Sequence, residues 1–215
     1  MSLNTTMQVV PNRVYEILFD LVPMIVLYIV VMSFLRIFTA IYKKEKIVIY
    51  RDIKFLLYTI YCFALFKLVT TTDFESYSNN FIPFKEITRY TTFNSLFIRN
   101  VLGNILIFVP FGYLLSDMIQ DTTGKRLIFP PVALTLITSS TIECIQMFIG
   151  RSFDIDDIIL NVFGGLIGIL IYNVFHRIYF KLPKFFQNEW FKLLLLLLLM
   201  ALISFDFIYL YEVLK

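Results

Sequence analysis

The chain has 215 residues, of which 59% are hydrophobic and only 16% are charged. Soluble proteins average about 45–50% apolar and about 25% charged residues, so this chain has too few polar side chains to cover a water-facing surface. The composition excludes a soluble enzyme, a nucleic-acid-binding domain and a disordered chain. The net charge of +3 identifies no partner by itself. We therefore expect a protein of the lipid bilayer.

Six segments are long and apolar enough to be membrane spans: 17–42, 53–72, 100–119, 128–149, 158–180 and 191–211. A membrane-crossing helix needs about 20 such residues, because every backbone N–H and C=O must be satisfied within the segment. The first segment lacks the basic lead and the cleavage site of a secretory signal, so we expect a retained helix. The predicted fold is all-α, a polytopic integral membrane helix bundle that forms a single domain over residues 1–215.

The Lys and Arg residues predict the orientation of this bundle. Most of them lie after the first, third and fifth predicted spans, in residues 43–54, 125–126 and 177–192. Basic loops stay on the cytoplasmic side of a membrane. We therefore predict that both termini lie outside the bacterial cell membrane, together with most of the acidic residues.

The cysteines and the single histidine indicate neither a disulfide nor a zinc site. Cys62 and Cys144 both lie inside apolar runs, and His176 has no second histidine to share a metal. No cofactor is predicted from these residues.

Polar residues accumulate at the predicted outer ends of the third, fourth and fifth spans. Such residues are costly in a bilayer and face a bundle interior or a wet cavity. A short turn, residues 150–157, joins the fourth and fifth spans at that same end. We predict one external polar cluster made of Asn100, Asn104, Glu143, Gln146, Arg151, Asp154, Asp156, Asp157 and Asn161.

Glu143 is the most informative member, because it lies about 9 Å below the predicted end of its helix. A carboxylate at that depth must be paired, hydrogen-bonded or protonated. Three interpretations follow: an ion pair with Arg151 that only locks two helices, an acid that faces a ligand or substrate, and a protonated glutamate that faces lipid.

The three aspartates of the turn, Asp154, Asp156 and Asp157, precede a helix start. Acidic side chains cap the free N–H groups there and complement the helix dipole. One aspartate would suffice, so three beside an arginine also favour a functional role. Their oxygens suit a divalent cation, although their spacing matches no defined loop.

Glycine and proline positions predict how the spans pack. Gly164, Gly165 and Gly168 follow along one helical face and favour close helix approach. Pro110-Phe111-Gly112 is expected to interrupt and bend the third span in mid-membrane, where the break shapes a cavity or only a kink. The connection 73–99 carries too many aromatic residues for open water. We expect an external interfacial segment that covers the polar cluster, with a plain aromatic belt as the alternative.

In order and spacing, residues 53–180 resemble the VanZ-like family of bacterial membrane proteins. The resemblance is carried by Phe81-Ile82-Pro83-Phe84, Asn100, Gly103-Asn104, Phe108, Pro110-Phe111-Gly112, Glu143, Gln146, Gly150-Arg151, Phe153, Asp154, Asp157, Asn161, Gly164, Gly165 and Gly168. The flanking spans, in 1–52 and 181–215, lie outside it. The family is named for a protein associated with teicoplanin resistance, so the resemblance implies a process of the cell envelope but no particular reaction.

Two hypotheses of function follow, and we favour the first. In the first, a non-enzymatic envelope protein binds a lipid-linked cell-wall precursor or a glycopeptide in its external polar pocket. In the second, a membrane-embedded enzyme acts on a lipid-linked or lipid-headgroup substrate. Glu143 is then the acid or base, Asp157 its partner and Arg151 the clamp for developing charge. A transporter subunit is a third alternative, although the sequence shows no internal repeat.

Overall fold

The computed structural model describes residues 19, 22–23, 25–38, 41–42, 49–71, 79–89, 97–188, 190–191, 193–194 and 197–198. These residues belong to two compact units that divide between Val69 and Thr70. The described residues form helices and turns, with no β-strand beyond one isolated bridge between Asn80 and Asp154. The prediction of an all-α fold is therefore confirmed.

The first unit contains a short apolar helix, α1 (Ile25–Phe38), and most of α2 (Ile49–Thr71). They lie within the predicted spans 17–42 and 53–72, respectively, apart from the first turn of α2. An ion pair joins the two helices, with Arg36 Nη2 at 2.5 Å from Asp52 Oδ1.

The second unit contains the three described helices that are long and apolar enough to cross a membrane. These helices are α3 (Gly103–Thr123), α4 (Phe129–Phe148) and α5 (Ile155–Tyr179). A π-helical turn, Ile98–Leu102, runs directly into α3, and two 3-10 turns cover Ile87–Arg89 and Lys184–Gln187. The third, fourth and fifth predicted spans are thus confirmed as apolar helices. The last predicted span, 191–211, lies mostly outside the described residues, so the count of six remains a prediction.

Local sequence explains where these helices begin and end. Gly124 ends α3 in a left-handed conformation (φ 67°), which glycine adopts at no steric cost, and its N–H donates to the Gln120 carbonyl at 2.8 Å. A proline stands in the first turn of α4. Backbone N–H groups in a first turn have no acceptor within the helix, so a residue without an N–H is tolerated there. Asp154 caps α5, because its carboxylate accepts the Asp156 N–H at 2.9 Å.

The prediction that Pro110 interrupts the third span is wrong, since α3 continues through it to Thr123. Proline removes one backbone hydrogen bond, and neighbouring helices compensate for that loss in membrane bundles. Pro110 and Phe111 are both buried here. Packing therefore holds the helix together across the proline.

Helices α3 and α5 touch backbone to backbone at glycines. A Cβ built on Gly164 would collide with the Ile105 carbonyl, and one built on Gly168 would collide with the Val109 carbonyl. Gly165 faces α4 instead, where an added Cβ would lie 2.5 Å from Thr135 Cγ2. Only a residue without a side chain permits these approaches, so the glycines set the spacing of the bundle.

Most of the residues that α4 buries are polar, and most of the residues that it exposes are apolar. Its buried residues are Pro131, Thr135, Ser139, Ile142, Glu143 and Gln146. Leu134, Leu136, Ile137 and Phe148 are exposed. A helix on the surface of a soluble protein has the opposite arrangement, so the exposed face of α4 is suited to lipid.

We expect Gly164→Ala and Gly168→Ala each to destabilise the bundle by about 1–3 kcal/mol, because the added methyl group must push α3 and α5 apart. The measurement is the unfolding midpoint of the protein in lipid or detergent. Leu170→Ala, on the same helix with Leu170 61% exposed, is the control and should change it little. A wild-type midpoint for Gly164→Ala would contradict the packing described.

Candidate functional site

The polar side chains of α3, α4 and α5 meet at one end of the second unit, which we call the polar end. Helices α3 and α5 begin there and α4 ends there. Asn104 Nδ2 donates to Asp157 Oδ1 at 2.5 Å, which joins α3 to α5. Asn161 Nδ2 donates to Ser139 Oγ at 3.0 Å, which joins α5 to α4. Together these two bonds connect all three helices at the polar end.

Glu143 faces the interior of the polar end. Its residue is 2% exposed, and its Oε2 accepts the Asp154 N–H at 3.0 Å. The interpretation of Glu143 as a lipid-facing glutamate is therefore wrong. The turn also closes onto α4 through its backbone, because the Arg151 N–H donates to the Gln146 carbonyl at 2.9 Å. An ion pair with Arg151 and a ligand-facing role both remain hypotheses for Glu143.

Asp156 anchors a distant part of the chain. Its carboxylate is 1% exposed and accepts three backbone N–H groups, from Phe84 at 2.5 Å, Glu86 at 2.7 Å and Ile87 at 3.2 Å. Phe84 has φ of 64°, a left-handed conformation that is costly for a bulky residue. The bonds to Asp156 offset that cost and fix the turn around Phe84.

Residues 79–89, which we call the roof segment, lie against the turn between α4 and α5. The Asn80 N–H donates to the Phe153 carbonyl at 2.8 Å, and the Ile155 N–H donates to the Asn80 carbonyl at 3.0 Å. Asn80 Nδ2 also donates to Asp154 Oδ1 at 2.8 Å. The Phe81 and Phe153 rings stack with centroids 5.2 Å apart. The roof segment is thus joined to the polar end along much of its length.

The turn between α4 and α5 is partly shielded from water. Burial raises the pKa of the Asp154 carboxyl above its ordinary value, although hydrogen bonds from the Asp156 N–H and the Asn80 amide act in the opposite direction. The Asp154 carboxyl is thus less readily ionised than it would be in open water.

The three aspartates do not converge on a common point. Asp154 contacts Asn80 and caps α5, Asp156 binds the roof segment, and Asp157 binds Asn104. Within the described ranges, no group of three or more His, Cys, Asp or Glu side chains is arranged to hold a metal ion. The geometry therefore gives no support to a divalent cation at this turn.

The other predicted residues divide between the polar end and the packing of the bundle. Asn100 lies in the π-helical turn before α3, Gly103 is the first residue of α3, and Gln146 lies in the last turn of α4. Pro83 and Phe84 belong to the roof segment. Pro110, Phe111, Gly112, Gly164, Gly165 and Gly168 lie in helix interiors and are buried, so they contribute to packing.

Two residues that contact the polar end, Asn79 and Asn80, are absent from the predicted cluster. Asn79 accepts the Phe153 N–H at 2.9 Å through its side chain, and Asn80 makes the bridge described above. Two asparagines in succession before an aromatic motif are a signal for a fixed turn. Ser139 was expected from the sequence among the polar residues at the outer end of the fourth span, and it lies one helical turn from Glu143 on the same face.

A separate group of polar side chains lies at the opposite end of α5. Tyr172 Oη donates to Gln120 Oε1 at 2.8 Å, and Gln120 Nε2 lies 3.2 Å from His176 Nε2. These bonds join α5 to α3 a second time. His176 is in the last turn of α5, far along the helix from the polar end.

We expect Asp156→Asn to release the roof segment, because a neutral amide replaces the carboxylate that accepts three N–H groups. Hydrogen bonds to a charged group contribute about 1.5–3 kcal/mol, so hydrogen exchange at the amides of Glu86 and Ile87 should accelerate about tenfold or more. Glu86→Gln is the control. It breaks the exposed pair between Glu86 and Arg89, and such pairs contribute little. Equal exchange in both variants would contradict the anchoring role.

The chain is also similar in sequence to known proteins. The VanZ/LLP1 family model matches residues 53–176, which include the polar end and the roof segment. The chain is similar to "Protein VanZ" of Enterococcus faecium, with 30% identity over 124 residues that cover 55% of this chain and 70% of that protein. No solved structure matches the chain. The match over more than half of the chain shows that this protein belongs to the VanZ/LLP1 family.

Proposed function

We propose that the protein acts in the bacterial cell envelope, where its polar end binds a ligand at the outer face of the membrane and lowers sensitivity to teicoplanin. The ligand is a lipid-linked cell-wall precursor or a glycopeptide. One observation carries the proposal: polar side chains from three apolar helices converge at one end, beneath a segment held there by hydrogen bonds. Membership of the VanZ/LLP1 family is the reason for proposing a role in teicoplanin resistance.

The distribution of basic residues supports an outward-facing polar end. Lys125 and Arg126 follow α3 and Lys181 and Lys184 follow α5, so these exposed residues lie at the opposite end of the helices. Basic loops favour the cytoplasmic side. On this orientation the polar end meets molecules at the cell surface.

Binding accounts for the polar end better than catalysis does. Glu143, Asp157 and Arg151 interact electrostatically, as an acid–base pair with a cationic clamp would. However, Glu143 and Asp157 each commit an oxygen to a structural hydrogen bond. His176 lies at the far end of α5, so no serine–histidine pair forms within the described polar end. An enzyme that uses Glu143, Asp157 and Arg151 is the alternative.

The proposal predicts a change in teicoplanin sensitivity. Deleting the gene should lower the inhibitory concentration of teicoplanin, and the wild-type gene should restore it. Glu143→Gln should fail to restore it while the protein stays folded, because glutamine still accepts the Asp154 N–H but carries no charge. Cys144→Ser changes the exposed neighbour of Glu143 and should restore it fully.

Unchanged sensitivity on deletion would contradict the proposed function. Purified protein distinguishes binding from catalysis: saturable binding of teicoplanin or of lipid-linked precursor, with the ligand recovered intact, supports binding. Conversion of the precursor that Glu143→Gln abolishes would support the enzymatic alternative instead.

A further inference from the structure

Four consecutive apolar residues of the roof segment, Phe81-Ile82-Pro83-Phe84, lie on the surface, and we call them the apolar tip. Phe81 is 63% exposed, Ile82 62% and Phe84 56%, and Pro83 is exposed as well. Single apolar residues on a surface are ordinary, but an exposed contiguous run indicates a surface that contacts protein or membrane. The packing of the bundle does not explain the apolar tip.

The backbone N–H groups of the apolar tip are bonded within the protein. The Ile82 N–H donates to Asn80 Oδ1 at 3.2 Å. The Phe84 N–H donates to the Asp156 carboxylate. Pro83, which lies between them, has no N–H to satisfy. Three successive positions of the tip therefore require no hydrogen bond from water to their backbone nitrogens.

Two carbonyl groups of the apolar tip are bonded in the same way. The Ile82 carbonyl accepts the Lys85 N–H at 3.4 Å, and the Phe84 carbonyl accepts the Thr88 N–H at 3.0 Å. A loop in water can leave such groups to the solvent, whereas a backbone at the edge of the hydrocarbon must satisfy them within the protein. The backbone of the apolar tip is therefore as well suited to lipid as its side chains are.

The conformation of Phe84 indicates a use for its exposed ring. Its φ of 64° is costly for a bulky residue. Asp156 holds the backbone in this conformation, but the ring stays on the surface instead of packing in the bundle. Glycine would adopt the same turn without strain, so the turn alone does not account for a phenylalanine at this position.

The neighbouring surface shows which partner suits the apolar tip. The exposed apolar face of α4, which is suited to lipid, continues to its last residue, Phe148, and to Ile149. In the turn that follows, Phe153 stacks on Phe81 of the apolar tip. The tip thus adjoins the level at which the lipid-facing surface ends. Lys85, directly after the tip, is exposed, and its long side chain can extend to lipid phosphates.

We propose that the apolar tip inserts into the membrane leaflet at the polar end, with Phe81, Ile82 and Phe84 among the lipid headgroups and the first acyl carbons. The roof segment is then held on two sides, by Asp156 beneath it and by lipid around its tip. This inference goes beyond the proposed function, because it concerns the bilayer itself and not the ligand of the polar end.

Tryptophan fluorescence in lipid vesicles tests the proposal. Trp190 is the only tryptophan of the chain, so Phe81→Trp in a Trp190→Phe background reports on one position. The full-length protein is reconstituted into phosphatidylcholine vesicles, with or without bromine on the acyl chains. We expect brominated lipid to lower the emission of Phe81→Trp, and bromine near the headgroup to lower it more than bromine near the chain end. Iodide, present on both sides of the membrane, should have little effect.

Two other positions in the same background calibrate the measurement. Leu170→Trp, at an exposed position within α5, should lose most emission to bromine near the chain end. Lys125→Trp, at an exposed position beyond the end of α3, should lose emission mainly to iodide.

A charge in the apolar tip tests whether its apolar side chains hold it in lipid. Ile82→Asp alters an exposed position, where the carboxylate disturbs no packing but is costly in lipid. Combined with Phe81→Trp, it should reduce the loss of emission in brominated lipid and increase the loss to iodide. Ile82→Val is the matched control and should change neither. Wild-type hydrogen exchange at the Glu86 and Ile87 amides shows that the turn bound by Asp156 is intact in both variants.

Emission of Phe81→Trp that iodide quenches and brominated lipid does not would overturn the proposal, because the apolar tip would then lie in water. Protection from both quenchers would also overturn it, and would indicate a second copy of the chain if dilution of the protein in lipid removes the protection. An unchanged response of the folded Ile82→Asp variant would contradict insertion of the tip.

The result is separable from the proposed function. A tip that inserts into lipid, together with unchanged teicoplanin sensitivity on deletion of the gene, leaves the lipid contact and removes the resistance role. Changed sensitivity, together with a tip that lies in water, leaves the resistance role and removes the lipid contact.

Discussion

The direct contact between the backbones of α3 and α5 is the interaction on which the rest of the second unit depends. Gly164 meets the Ile105 carbonyl, and the preceding residue of α3, Asn104, reaches Asp157 about two turns nearer the start of α5. A side chain at Gly164 would separate the helices and pull that hydrogen bond apart. The glycines therefore determine whether the polar end can form at all.

The apolar surroundings explain why the polar end is so extensively bonded. A polar group in hydrocarbon has no water to bond, so it must find a partner within the protein. Helix α4 shows this constraint most clearly, since it buries Ser139 and Glu143 and leaves Leu136 and Ile137 outside. Asp156 extends the same principle to the roof segment by binding its backbone.

The sequence predicted the apolar helices that carry the polar end, because hydrophobic length is a local property. It also placed Asn104, Glu143, Asp157 and Asn161 at matching ends of their helices. The anchoring role of Asp156 was not predictable, because its partners are backbone N–H groups that lie about 70 residues earlier and carry no side-chain signal. The continuity of α3 at Pro110 was missed for a related reason: tertiary packing overrides the local tendency of proline to break a helix.

The central claim is that the polar end faces the cell exterior, and cysteine labelling tests it most directly. In a background with Cys62→Ala and Cys144→Ser, a cysteine at the exposed roof position Lys85 is compared with one at Lys125 after α3. A membrane-impermeant maleimide should label Lys85→Cys in intact cells and Lys125→Cys only after lysis. Labelling of Lys125→Cys in intact cells, with Lys85→Cys protected until lysis, would contradict the account.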